Sequence, residues 1–243
     1  MRTVVITQAR MASTRLPGKV LKTICGKSLL EYQLERLNRV SSADQVIVAT
    51  TKNKIDDQIV ELCKILGVKY FRGPENDVLR RYYEAAKFSK AEIIVRVTSD
   101  CPLIDPNIID KIIHTFKKKF PLYVYVSNIT ERTYPRGMDT EVFSFKALKE
   151  AHEKATSLSE REHVTPFITE NSKNFQIGTI FYESNESKYR WTVDTKDDFK
   201  LIHKIISTLY PKKPLFTLED CLKILKKNPS WSKINSNIKQ KEI

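Results

Sequence analysis

Over the first hundred residues, short continuous apolar runs alternate with segments whose apolar residues recur at helical spacing, and few architectures accommodate that rhythm. Residues 3–6, 45–50, 68–71 and 93–97 read as strands. Runs such as Val46-Ile47-Val48-Ala49 are consecutive rather than alternating, as expected of a strand covered on both faces. Between the strands, Leu30, Leu34 and Leu37 define one helix over residues 28–39, opened by the capping-box pair Ser28 and Glu31. Ile55, Ile59, Leu62 and Leu66 define a second, stopped by Gly67, and Val78, Tyr82, Ala85 and Ala86 a third. This pattern predicts an α/β fold, a Rossmann-like and mostly parallel sheet with helices on both faces. Loops leaving the carboxyl ends of such strands share one edge, so the loops after Ile6 and Thr98 are expected to face one crevice.

The first of those loops concentrates charge. Thr7-Gln8-Ala9-Arg10-Met11-Ala12-Ser13-Thr14-Arg15-Leu16-Pro17-Gly18-Lys19 carries three cations, Arg10, Arg15 and Lys19. Ser13 and Thr14 add hydroxyls, and Gly18 lets backbone approach a ligand closely. That chemistry suits a polyphosphate. Gly-x-Gly-x-x-Gly is absent, and Gly26-Lys27-Ser28 has Leu21 where a Walker A loop needs its first glycine, which disfavours a P-loop kinase or ATPase.

The loop resembles the Ala-Arg-x-x-Ser-x-Arg-Leu-Pro-Gly-Lys signature of cytidylyltransferases that make CMP-activated sugar acids, the octulosonate and nonulosonate synthetases. Its Gln-Ala-Arg opening looks most like the spore-coat polysaccharide F branch. Four further blocks resemble the family. Thr98-Ser99-Asp100-Cys101-Pro102-Leu103-Ile104-Asp105-Pro106 is similar to an element whose aspartate, here Asp100, is a metal ligand. Val193-Asp194-Thr195-Lys196-Asp197-Asp198-Phe199 is similar to one whose first aspartate, here Asp194, helps hold that metal. Pro135-Arg136-Gly137-Met138-Asp139-Thr140-Glu141 and Glu160-Arg161-Glu162-His163 look like elements of the spore-coat branch. The resemblance spans residues 3–205.

It implies an enzyme, a nucleotidyltransferase in which a hydroxyl of an acidic sugar attacks the α-phosphorus of CTP and pyrophosphate leaves. Mg²⁺ is the implied cofactor, held by Asp100 and Asp194. Arg10, Arg15, Lys19 and Asp100 are the expected catalytic residues. Gln8, Ala9, Arg10, Ser13, Arg15, Gly18 and Lys19, with Thr50, Asp77 and Arg81, are the expected nucleotide contacts. Arg136, Asp139, Glu141, Arg161 and His163 are the candidates on the acceptor side. A homodimer is expected, with residues 122–145 as a candidate interface. Arg80 departs from the branch, which usually has an acidic residue there, and reverses charge near the expected nucleoside pocket. A glycosyltransferase of GT-A type stays open, although Ser99-Asp100-Cys101 lacks the second carboxylate of Asp-x-Asp, as do a different base or acceptor and a non-catalytic nucleotide-binding module.

Several of these residues have plainer readings. Asp105 before Pro106 has the pattern of a helix cap, and Thr195 that of another, with Asp194 ending a strand. Period-2 spacing puts Asp139 and Glu141 on one strand face, where two like charges need a cation, a metal or water. His163 is a candidate general base, or one partner in a helix-surface network.

The chain of 243 residues is long enough for one α/β domain, 1–228, with a nucleotide-binding half over 1–120 and an acceptor and dimerisation half over 121–228 that contains a β-rich insertion. The polar, lysine-bearing tail 229–243 is expected to fray. The net charge of +13 is spread along the chain without a basic helix or an aromatic-basic stripe, so an anionic small substrate is favoured over nucleic acid. No apolar run approaches the roughly 18 residues of a membrane span, and no signal-peptide pattern opens the chain, which predicts a cytosolic protein. The four cysteines and four histidines lack zinc-ligand spacing, and Cys63 and Cys221 fall on apolar helical faces.

Overall fold

The computed structural model describes residues 1–171 and 176–239. From the amino end the chain forms β1 (Thr3–Gln8), a small hairpin of β2 (Thr23–Ile24) and β3 (Lys27–Ser28), then α1 (Leu29–Leu37) and β4 (Gln45–Thr51). It continues through α2 (Asp57–Ile65), β5 (Lys69–Gly73), α3 (Val78–Phe88), β6 (Ile93–Thr98) and α4 (Pro106–Lys119). The second half adds β7 (Tyr125–Ser127), β8 (Glu141–Ser144), α5 (Phe145–Lys154), α6 (Leu158–His163) and α7 (Pro166–Glu170). β9 (Ile177–Thr179), α8 (Lys196–Leu209) and α9 (Leu218–Lys227) complete it.

Among the described residues the main sheet has seven strands in the order β5-β4-β1-β6-β8-β7-β9. β8 runs against its neighbours β6 and β7, and the other pairings are parallel. Continuous apolar strands follow from two-sided burial: Val4 and Ile6 of β1 enter one core and Val5 the other, as Ile47 and Ala49 oppose Val48 in β4. Helices α1, α2, α4, α8 and α9 cover the Val5 face, and α3, α5 and α7 the Val4 face. Cys63 and Cys221 are buried in the first of these cores, and Asp105 caps α4 through the amide of Asn107.

The strand order reverses between β1 and β6, and there the two predicted loops lie side by side. Gln33 of α1 locks that junction, accepting from Thr7 Oγ1 at 2.8 Å and donating to the carbonyl of Thr98. The second half departs from expectation in three ways. Its strands extend the main sheet, and helix α5 starts directly after β8 with Ser144 as its cap, a helix the strand-like reading did not include. Residues 191–194 form no strand: an isolated bridge joins Arg136 to Arg190, and Val193 donates its amide to the carbonyl of Asp100 at 2.8 Å. The tail, expected to fray from residue 229, instead docks as a 3₁₀ turn, Pro229–Lys233, followed by Asn235, whose side-chain amide donates to Arg190 O and Asp198 Oδ1. A buried asparagine with both bonds made anchors the segment far more firmly than its composition suggests. Residues 240–243 of that tail lie outside the described residues. No described helix is long and apolar enough to cross a membrane.

Candidate active site

A cleft of about 590 Å³ opens at the carboxyl ends of β1 and β6. The loop after β1 supplies one wall. Its bend is fixed by Gly18 at φ 65°, a left-handed conformation that glycine adopts without strain, while Gly18 N and Ser13 N both donate to Met11 O. The next residue, Lys19, begins a 3₁₀ turn and turns its side chain inward.

The Lys19 ammonium lies 2.8 Å from Asp100 Oδ2 and 2.8 Å from Asp194 Oδ1. Two carboxylates 94 residues apart thus converge on one cation position. Asp100 follows β6 and is held by Thr98 Oγ1 at 2.7 Å. Asp194 precedes α8, where Asp198 caps the helix by accepting from the amides of Asp194 and Thr195. Its other oxygen takes Arg190 at 2.7 Å and Arg15 at 3.1 Å. Burial alone would lower the Lys19 pKa, yet Asp100 and Asp194 together hold it above its ordinary value. Burial would likewise raise the Asp100 carboxyl, and the Lys19 ammonium instead holds it well below the carboxylate range. Lys19, Arg15 and Arg190 are matched by Asp100, Asp194 and Asp198, so the positive excess of the cleft that would suit an incoming polyanion comes from Arg10 and Arg81 on the same side.

The other wall carries the acceptor-side candidates. Asp139 is gripped by both terminal nitrogens of Arg132, at 2.6 and 2.9 Å. Glu141 is almost fully buried and takes Arg96, Tyr125 at 2.8 Å and Thr165 at 2.6 Å. The cation required by these neighbouring carboxylates is therefore supplied by two arginines. Arg136 and His163 also line the cleft. His163 stands just before Val164, a buried β-branched residue at φ 75° that centres a tight turn closed by Thr165 N to His163 O. Gly137, at φ 102°, passes so close to Trp191 that a Cβ would sit 2.7 Å from its carbonyl carbon, so only glycine fits. Cys101 lines the cleft too, but burial pushes its thiol well above the ordinary value and denies it a thiolate's reactivity.

On the nucleotide side Gln8, Ala9, Arg10, Ser13 and Arg81 line the cleft. Gln8 Oε1 and Arg81 Nε are buried and have no hydrogen-bond partner among the described residues. Arg10 reaches Glu75 at 3.7 Å. Four predicted contacts are not among the described residues lining the cleft: Gly18, Thr50, Asp77 and Arg161. Gly18 shapes the loop instead, and Thr50 is buried in β4. Asp77 caps α3 through Arg80 N and pairs with Arg161, one contact being 3.1 Å, so a nucleotide candidate and an acceptor candidate neutralise each other across α3 and α6. Arg80 is more than half exposed and bonds Glu84 at 2.7 Å, directing its charge along the helix surface. Sequence reasoning missed Arg96, Arg132 and Arg190. The available signal was an arginine inside an apolar strand run, Val95-Arg96-Val97, and arginines near the acidic blocks.

A cytidylyltransferase family model matches residues 4–232. The chain belongs to the cytidylyltransferase family. This cytidylyltransferase is 41% identical over 248 residues to an uncharacterized protein of Methanocaldococcus jannaschii, covering 99% of this chain and 97% of that one. It is 31% identical over 236 residues to the spore coat polysaccharide biosynthesis protein SpsF of Bacillus subtilis, covering 92% and 94%. Its fold superposes on a cytidylyltransferase from Leptospira borgpetersenii with a TM-score of 0.92 and 37% identity over the whole of both chains. The nucleotidyltransferase activity class and the mostly parallel sheet expected from the sequence both stand.

Proposed function

We propose that this cytidylyltransferase transfers CMP from CTP to a hydroxyl of a sugar acid of the octulosonate or nonulosonate type, with Mg²⁺, for surface polysaccharide or glycoconjugate synthesis. The observation that carries the proposal is the meeting of Asp100 and Asp194 at a single cation position beneath the Arg15–Lys19 loop. Two carboxylates already spaced to share one ammonium present the hard oxygen donors that Mg²⁺ prefers, and its implied fit rests on that convergence. When bound, Mg²⁺ would supply positive charge beside the α-phosphate and acidify a nearby hydroxyl.

In the reaction the acceptor oxygen forms a bond to the α-phosphorus as the bond to the bridging oxygen of pyrophosphate breaks, and the hydroxyl proton passes to solvent. The chain's contribution is positioning and charge. Arg10 and Arg15 orient the triphosphate, and Lys19, drawn from its carboxylates by the phosphates, neutralises the leaving pyrophosphate. Gln8 and Arg81, each with a buried unpartnered atom, are placed to contact the nucleoside. Arg136, at the far wall, offers its guanidinium group to the acceptor's carboxylate, while Arg132 stays on Asp139. The link to polysaccharide synthesis is supported by the relationship to the spore coat protein.

The test is pyrophosphate release from CTP, UTP, ATP and GTP, with and without Mg²⁺, against sugar acids and neutral sugars. Release that requires CTP, Mg²⁺ and one acid supports the proposal. Release with a neutral sugar or another nucleotide overturns it, and hydrolysis of a nucleotide sugar in place of synthesis points to a glycosyltransferase.

A further inference from the structure

Behind the segment that carries Asp194 lies a second cavity, of about 470 Å³, walled by α8, α9 and the docked tail. We infer that this cavity is a regulatory site for a small organic oxyanion, a carboxylate or phosphate on a body of monosaccharide size. Its volume falls within the range of small-ligand sites, roughly 300–1,000 Å³. Leu201 and Leu225 give it an aliphatic wall, and Tyr189 presents an aromatic ring. Among the described residues that line it there are four cations and no carboxylate. Arg190 spends its charge on Asp194 and Asp198, and Lys188 pairs with Glu186 at 3.4 Å. Arg136 and Lys226, from different elements, make no ion pair among the described residues. Burial pulls the Arg136 pKa down, and the nearby cations Arg132 and Arg190 outweigh the opposing pull of Asp139. Asn235 is buried, and its side-chain amide is spent on Arg190 and Asp198, which holds the tail against this wall.

Arg136 makes the site more than a surface hollow, because it lines both this cavity and the catalytic cleft. Its backbone is stitched to the same segment, with Arg136 N on Tyr189 O at 3.0 Å and Trp191 N on Arg136 O at 2.7 Å. An oxyanion in the second cavity draws the Arg136 guanidinium out of the cleft and weakens the acceptor's hold. Tyr189 stacks on Trp191 with 5.9 Å between ring centroids, so an occupant against Tyr189 alters the tryptophan signal.

The inference concerns binding and stands apart from which acid is the acceptor. The test titrates the full chain, saturated with CTP, with gluconate, glucose 6-phosphate and inorganic phosphate, by calorimetry and tryptophan fluorescence. At least one organic probe is expected to bind; gluconate alone names a carboxylate metabolite as the source, and glucose 6-phosphate alone a phosphate ester. Lys226→Glu, on the exposed end of α9, and Ser232→Trp, which fills the cavity, are each expected to weaken that probe about tenfold or more with CTP affinity unchanged. In the wild type the probe is expected to raise the acceptor KM, and in Lys226→Glu to leave it unchanged. Absence of binding to about 10 mM, a limit of roughly 3 kcal/mol, or equal binding by both variants overturns the site. A constant acceptor KM at full occupancy overturns its coupling to the cleft.

Discussion

Two pairs of carboxylates face the same cleft and are handled in opposite ways. Asp100 and Asp194 come from elements far apart in sequence and share one lysine. Asp139 and Glu141 are near neighbours in sequence, yet each has its own arginine, Arg132 and Arg96. Asp100 and one oxygen of Asp194 therefore depend on a cation that can be exchanged, the other oxygen of Asp194 being held by Arg190 and Arg15, while the second pair is tied to cations fixed within the fold. Shared neutralisation leaves room for a ligand's charge; private neutralisation holds a wall in place.

Substitutions break or sharpen that contrast. Asp100→Asn is expected to lower turnover by about a thousandfold, since an amide cannot hold a divalent cation as a carboxylate does, while melting shifts by only a few degrees. Pyrophosphate release at saturating Mg²⁺ together with a thermal melt checks both halves, and a variant that unfolds would place Asp100 with the structural pair. Glu141→Gln is expected to do the reverse, costing about 3 kcal/mol because Arg96 is left buried without counter-charge. Denaturant unfolding reads that loss, and unchanged stability with abolished turnover would erase the distinction.

Lys19→Ala is expected to weaken CTP binding about tenfold to a hundredfold and CMP binding much less, measured by calorimetry. Equal losses for both nucleotides would remove Lys19 from the leaving group. The pH dependence is smaller. The Asp100 carboxyl is held below its unfolded-state value, so its contribution to stability is complete above about pH 4. That contribution fades as pH falls through the folded value of about 2. Acid unfolding of Asp100→Asn is accordingly shallower in that window than wild type. The smallest effect is expected for Arg80→Gln, whose exposed partner is Glu84: stability within about 0.5 kcal/mol of wild type and the same nucleotide preference in the pyrophosphate assay.

The sheet from β1 to β6 was legible because two-sided burial writes a continuous apolar run, and the intervening helices write a 3.6-residue period. The convergence of the two loops was legible as well, since parallel topology puts them on one edge. Helix α5 escaped because it begins at Phe145 with no breaker after β8; Ala147, Leu148 and Ala151 carried the helical spacing. The pairing of Asp77 with Arg161 joins residues 84 positions apart, and sequence displays both charges without displaying that they meet. Asn235 in the tail follows the same logic, its value residing wholly in the distant groups it satisfies.

The positive φ of Val164 bears on how the cleft wall at His163 behaves over time. A valine held there is costly in isolation, so the turn keeps its shape only because the side chain is locked into the core. His163 is thereby denied the conformational wandering common to surface loops. The backbone entropy of this turn is surrendered when the chain folds, so less of it remains to be lost when a ligand enters the cleft.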